Sequence, residues 1–477
     1  MPAVPDTREG GRDQVVVGDV PGVGEDAGVG DQRADFLRPL STRLPNVTSV
    51  YAMVTTHLRT LSDAVTRRCP IPDELEAVTT IGPEAPHDAT EALWDSVVAL
   101  YRTGVHPAIQ VCIRHRGEVV LHRSIGYARG VAPGRPIDDS DVVPVDLDTP
   151  INLFSAAKAV TTMVMHKLEE QGVLSLDDRV ADHVPGFARH GKGHITIRQV
   201  LTHRAGIPSL PSHAFDLDLL ADPERVVQMV CDLEPTRAAG GAPAYHAITG
   251  GFVMEAVARS ATGHSLRELL RTEVKEPLGL QWFDYGVAPD EVDQVADNVI
   301  TGFPLTPLMS RHFCRLLGRG WEEVIGLSND PRFLSGVIPS GKVIVTAGSA
   351  AAFYQCLVDG GALDGTRVFE PETIARAVAD DTGGGVSLDR MIGMPFRYGD
   401  AGFMHGTDTV SLYGWNHPRA FGHVGMSNSF TWADPDRELV VALLTTGKPI
   451  LGTHLLALPR VISEIHRSFP ATTPASA

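Results

Sequence analysis

The sequence predicts an α+β fold: an antiparallel sheet flanked by helices, with a mostly helical second lobe. Three observations predict it. Strand-like runs Ile109–Arg114 and Val119–Ile125 meet across the turn Arg116-Gly117-Glu118. A second pair, Ser429–Ala433 and Leu439–Leu444, flanks Asp434-Pro435-Asp436-Arg437 near the other end. Between the pairs the apolar residues recur at helical spacing. Hairpins at both ends of one domain, with helices between, call for one shared sheet.

Taken in order, the first 35 residues are rich in Gly, Asp and Val, carry no aromatic residue, and read as a flexible tail. Residues 36–88 read as an N-terminal helical extension, interrupted by Pro45, Pro70 and Pro72. The main domain is expected over 89–467, with a flexible C-terminus at 468–477. It opens on a helix at Glu91–Tyr101, and Pro107 then leads into the first hairpin. The acidic stretch Asp138–Asp148 lacks the spacing of a calcium loop and reads as a solvated loop. Ile195–His203 carries a helix-start pattern closed by Gly206 and Pro208. Residues 216–279 are mostly helical, including Gly250–Ala261 and Leu266–Val274.

Composition narrows the functional classes. The 477 residues are 43% hydrophobic and 21% charged, as in ordinary globular proteins. A formal net charge of −17 with no basic run argues against nucleic-acid partners. Five dispersed cysteines, without a C-x-x-C pair, suggest reduced thiols in a cytoplasmic protein. Asp6, Arg8 and Glu9 stand where a signal peptide needs an apolar core. The most apolar stretch, Leu439–Leu458, is broken by Thr445, Gly447, Lys448 and Pro449, so no membrane span is expected.

The chemistry centres on Asn152-Leu153-Phe154-Ser155-Ala156-Ala157-Lys158-Ala159-Val160 and the helical pattern that continues to Gly172. Val160, Met163, Val164 and Leu168 mark its buried face. Ser155 and Lys158 are three residues apart, hence stacked one turn apart on one helical face. A desolvated lysine can lose its proton and activate a hydroxyl near a helix start. The bland alternative is a helix-start serine followed by a surface lysine. Ala156, Ala157 and Ala159 around the amine, with no charged residue one turn away, favour the buried reading.

Two further places could complete a site. Tyr245 follows the loop Gly240-Gly241-Ala242-Pro243-Ala244; it either packs its ring, or relays protons if a nearby cation lowers its pKa. His423 lies in Phe421-Gly422-His423-Val424-Gly425-Met426, where the glycines permit the close backbone approach an oxyanion hole needs, or simply make a turn. His183, His190, His194 and His203 cluster in sequence, but Gly191 and Gly193 spoil a helical ligand face and H-E-x-x-H is absent. No metal and no cofactor are expected. The absence of G-x-S-x-G excludes the nucleophile elbow of α/β-hydrolases.

Ser155-Ala156-Ala157-Lys158, Tyr245-His246-Ala247 and His423-Val424-Gly425 stand in an order that resembles the β-lactamase-like serine hydrolases (the penicillin-binding-protein fold), most closely their esterase branch. Leu174-Ser175-Leu176-Asp177-Asp178, Ile195–His203, Gly360-Gly361-Ala362-Leu363-Asp364-Gly365 and the Asp434-Pro435 hairpin extend the resemblance over about 89–465. It implies an α/β lobe and a helical lobe with the site between them. It also implies Ser155 as nucleophile, Lys158 as its activator, Tyr245 as proton relay, and the N–H groups of Ser155 and Met426 as oxyanion hole, with His423 and Gly425 on the substrate side. Two departures narrow the substrate. Ala247 stands where many β-lactamases and penicillin-binding proteins carry asparagine, and His423 replaces their lysine, a cation suited to a carboxylate. Small uncharged esters are therefore expected, with lipase-like tolerance for acyl chains as an extension. An acyltransferase using the same acyl-enzyme, a D-amino-acid peptidase and a catalytically silent scaffold are the rival readings.

Overall fold

A computed structural model of the chain describes residues 78–471, except 86–87, 135–140, 211–215, 380–384, 400 and 427. The expected tail, the extension up to residue 77 and residues 472–477 lie outside the described residues.

The elements that carry the site are, in chain order, β1 (Thr79–Ile81), α1 (Thr90–Tyr101), β2 (Ala108–His115), β3 (Glu118–Arg129), α2 (Ala157–Glu170) and α3 (Thr249–Thr262). They continue with α4 (Pro307–Leu317), α5 (Trp321–Leu327), α6 (Ala347–Val358), β4 (Ser387–Leu388), β5 (Pro395–Tyr398) and β6 (Met404–His405). The last four are β7 (Phe421–Gly425), β8 (Ser429–Asp434), β9 (Leu439–Thr445) and α7 (His454–Ser468). The sheet order is β1-β3-β2-β9-β8-β7-β6-β5-β4, every neighbouring pair antiparallel.

The two hairpins anticipated from sequence are thus joined directly. β9 lies against β2 from Leu439↔His115 to Thr445↔Ile109. Arg116 and Gly117 both have positive φ, 54° and 83°, the geometry of the two-residue turn that matches strand twist. β1 falls within the stretch set apart as an extension and forms the edge beside β3.

Burial explains why Leu439–Leu444 reads as one unbroken apolar run. Leu439, Val441 and Leu443 pack with α1 and α7 (Leu93, Val97, Val461, Ile465) on one face. Val440, Ala442 and Leu444 face the core on the other, with Ala350 and Phe353 of α6. A sheet covered on both sides has no face left for polar alternation. The second core continues through α2, whose residues 157–166 are all buried, into α3 and the helical lobe.

Candidate active site

Ser155 is presented by a strained turn. Phe154 holds φ at 48°, a left-handed conformation that is costly for a bulky side chain. Its N–H donates to Asn152 Oδ1 at 2.9 Å, and the Leu153 N–H donates to Val343 O at 2.9 Å, so both sides of the turn are pinned. Ser155 itself lies in the 3-10 turn Phe154–Ala156, and α2 starts two residues after it, at Ala157. The serine still sits at the positive end of α2, where developing negative charge is favoured.

Lys158, on the first turn of α2, is 8% exposed. Its Nζ donates to Ala247 O at 2.9 Å and Ser340 O at 2.7 Å, and lies 3.5 Å from Ser155 Oγ. Burial, with no carboxylate to offset it, pushes the amine well below its usual range. A neutral amine has two N–H bonds and one lone pair. With both N–H groups committed to carbonyls, the lone pair is left to face the serine hydroxyl.

Tyr245 is buried, its ring centroid 4.6 Å from Lys158 Nζ. A hydrogen bond links it to Ser155, yet burial outweighs that bond and pushes the phenol up. The condition set from the sequence, a nearby cation lowering the tyrosine pKa, is not met: burial raises it. Tyr245 stands protonated, ready to donate.

His423 is 1% exposed, and its Nδ1 donates to Val424 O at 2.9 Å. Burial pulls the ring down to about 3, so it is neutral at pH 7. Its ring centroid is 6.3 Å from that of Tyr245. The flanking glycines are required by contact. A Cβ on Gly422 would meet Thr431 O at 2.2 Å, and one on Gly425 would meet Leu153 O at 1.9 Å. Gly425 therefore lets β7 lie directly against the residue before the serine turn. That contact brings Met426 to the cavity wall that Ser155 also lines.

This cavity, about 60 Å³, is otherwise apolar, with Ile248, Leu317, Leu327 and Phe333 among its walls. Arg319 is the charged residue in its described lining and pairs with Glu323. A larger groove of about 580 Å³, bordered by Val131, Asp297 and Asn329, has none of the candidate residues in its walls. Nearness to Ser155, not size, makes the smaller cavity the relevant one.

The structure thus brings Ser155, Lys158, Tyr245, His423, Gly425 and Met426 into one region. The histidine cluster does not assemble as a unit. His183 bonds Asp178 at 3.0 Å, His190 approaches Glu234 at 3.8 Å, His194 is exposed, and His203 is buried against Tyr245. Among the described residues, the grouping of metal-ligating types is His417, Asp434 and His466; the carboxylate there already accepts from His417 and Arg437. Sequence reasoning missed the carbonyls of Ala247 and Ser340, because a carbonyl acceptor leaves no mark on residue type. It also missed the α4–α5 wall; the apolar residues of 307–327 were the signal available.

A sequence profile described as Beta-lactamase matches residues 94–462. The protein named esterase/beta-lactamase LipL of Mycobacterium tuberculosis is 30% identical over 319 residues, 64% of this chain and 71% of that one. Among solved structures, a family VIII carboxylesterase superposes with TM-score 0.69 at 25% identity, covering 83% of this chain and 100% of that one. A penicillin-binding protein homologue from Caulobacter crescentus gives TM-score 0.68 at 26% identity, covering 82% and 100%. The sheet, the serine turn and these matches agree, and the chain belongs to the Beta-lactamase family of serine hydrolases.

Proposed function

We propose that the chain is a carboxylesterase that works through an acyl-enzyme on Ser155. The observation that carries this reading is the Lys158 amine: buried, fixed by two carbonyls, and 3.5 Å from Ser155 Oγ. In acylation the Ser155 proton passes to Lys158 Nζ as Oγ bonds the ester carbonyl carbon. The N–H groups of Ser155 and Met426 receive the oxyanion. Tyr245 then donates its proton to the departing alkoxide and is reprotonated from Lys158, so the C–O bond breaks with charge balanced. Water attacks the acyl-enzyme by the same route in reverse and releases a carboxylic acid.

The substrate side follows from two features. His423 is neutral and Ala247 offers no side-chain amide, so neither supports a substrate carboxylate. The cavity beside Ser155 favours an apolar acyl group. Cys112, Cys231 and Cys356 are buried and unpaired, which supports a reducing, cytoplasmic setting. Purified protein mixed with p-nitrophenyl acetate should release p-nitrophenol with a burst matching the enzyme concentration. Ser155→Ala should abolish it, and turnover that persists in that variant would remove Ser155 from the mechanism.

A further inference from the structure

We propose that His203 is a positioning residue for this esterase reaction: it clamps the loop that carries Tyr245, and so sets the tyrosine hydroxyl against Ser155. The role rests on the relay assigned to Tyr245. It adds a residue outside the three motifs Ser155–Lys158, Tyr245–Ala247 and His423–Gly425.

His203 brackets the tyrosine on both sides in the chain. Its backbone carbonyl accepts from the Ala244 N–H at 2.9 Å, and its ring Nδ1 accepts from the His246 N–H at 3.2 Å. Residues 244 and 246 are thus held by one residue, with 245 between them. The ring also packs on the tyrosine itself, centroid to centroid 4.6 Å, and meets Tyr398 edge-on at 5.0 Å. To present carbonyl and ring in the same direction, His203 adopts φ 61°, a left-handed conformation that few non-glycine residues take and that histidine takes more readily than most. Non-glycine residues at positive φ persist where the surroundings hold them.

The surroundings of His203 supply that constraint. The short helix Ile197–Leu201, with Thr196 and Gln199 forming a capping box, delivers His203 to its place. The same two strips of chain are laced further by Gly240 N–H to Arg204 O at 2.8 Å and Ile207 N–H to His246 Nε2 at 3.2 Å. Because Nδ1 accepts a hydrogen bond, the ring must be neutral. Burial keeps it so.

The test compares His203→Gly, His203→Asn, Tyr245→Phe and the His203→Gly/Tyr245→Phe double variant with wild type. It measures the rate of fluorophosphonate labelling at Ser155, kcat and KM for p-nitrophenyl acetate, and the melting curve. Glycine suits the positive φ and removes only the ring. Its labelling and kcat should fall about 10- to 100-fold, with KM changing far less. Asparagine tolerates the same backbone and returns an acceptor near Nδ1, so most of the rate should come back. The double variant should label no more slowly than Tyr245→Phe, since the clamp acts through that residue.

Wild-type labelling in His203→Gly, or losses that multiply in the double variant, would overturn the proposal. So would a glycine variant without a cooperative melt, because the clamp would then hold the fold rather than the tyrosine. Labelling does not depend on the substrate. A protein that labels at Ser155 but turns over no ester therefore fails the esterase reading while leaving His203 in place. If Tyr245→Phe labels as fast as wild type, the relay fails and the positioning role fails with it.

Discussion

The base proposed for the reaction, Lys158, would owe its basicity to what surrounds it. Among the described residues Lys158 has no acidic partner; beside Ser155 Oγ it meets two neutral carbonyls, and burial costs the ammonium form more than those carbonyls return. The sign of the pH dependence follows. The amine is useful when unprotonated, so kcat/KM should rise with pH through the lowered Lys158 pKa and then level off. Tyr245, pushed upward, stays protonated across that range and should add no fall near neutral pH. A steady-state profile from pH 5 to 9 checks this, and a rate that declines steadily with rising pH would contradict it. The pair was legible from sequence because side-chain type and three-residue spacing suffice to place an alcohol beside an amine. The environment of Tyr245 was not, because whether a neighbouring cation is charged depends on burial that only packing sets.

At the scale of elements, the serine turn and β7 work as one unit. The strained Phe154 turn is pinned from behind by Asn152 and Val343, and in front β7 closes to van der Waals limits through Gly425. Gly425→Ala must separate the two, since its Cβ would lie 1.9 Å from Leu153 O. The expected result is a stability loss of about 1–3 kcal/mol together with a collapse of Ser155 labelling. Gly172→Ala is the matched control. It strains a backbone at φ +69° but meets nothing within 4 Å, so about 1–2 kcal/mol should be lost with labelling intact. Denaturant melts and labelling rates on both variants check the pair. The hairpins and α2 could be read in advance because period, turn residues and glycine stops are local signals. The onset of α2 at Ala157 could not, since it depends on the distant hydrogen bond that the Leu153 N–H donates to Val343 O and on the approach of β7.

Across the described residues, burial lowers the pKa of several basic groups in the core. His246 and His423 are held down to about 3, and Lys448, stacked on Phe154 at 5.0 Å, to about 7, each by burial. As pH falls below 6.5 the unfolded chain takes up protons on these histidines and the folded chain does not. Stability is therefore lost on going from neutral toward about pH 3. At pH 5, 1.5 units below the free value, His246 and His423 cost about 2 kcal/mol each. For Lys448 the same sign makes stability rise with pH between about 7 and the free value of 10.5. Urea midpoints at pH 5, 6.5 and 8 should climb in that order, and a flat series would show that these groups do not titrate on unfolding. The sheet that joins both ends of the domain follows from its two hairpins. The meeting of helical lobe and sheet around Lys158 depends on loops near Ala247 and Ser340, whose sequences carry no comparable signal. The most direct measurement is tandem mass spectrometry of the fluorophosphonate adduct, with its rate, in wild type and Lys158→Gln at pH 7.5. The adduct should sit on Ser155 and form at least about 100-fold more slowly in the variant; an adduct elsewhere, or equal rates in the two proteins, would refute Lys158 as the activating base.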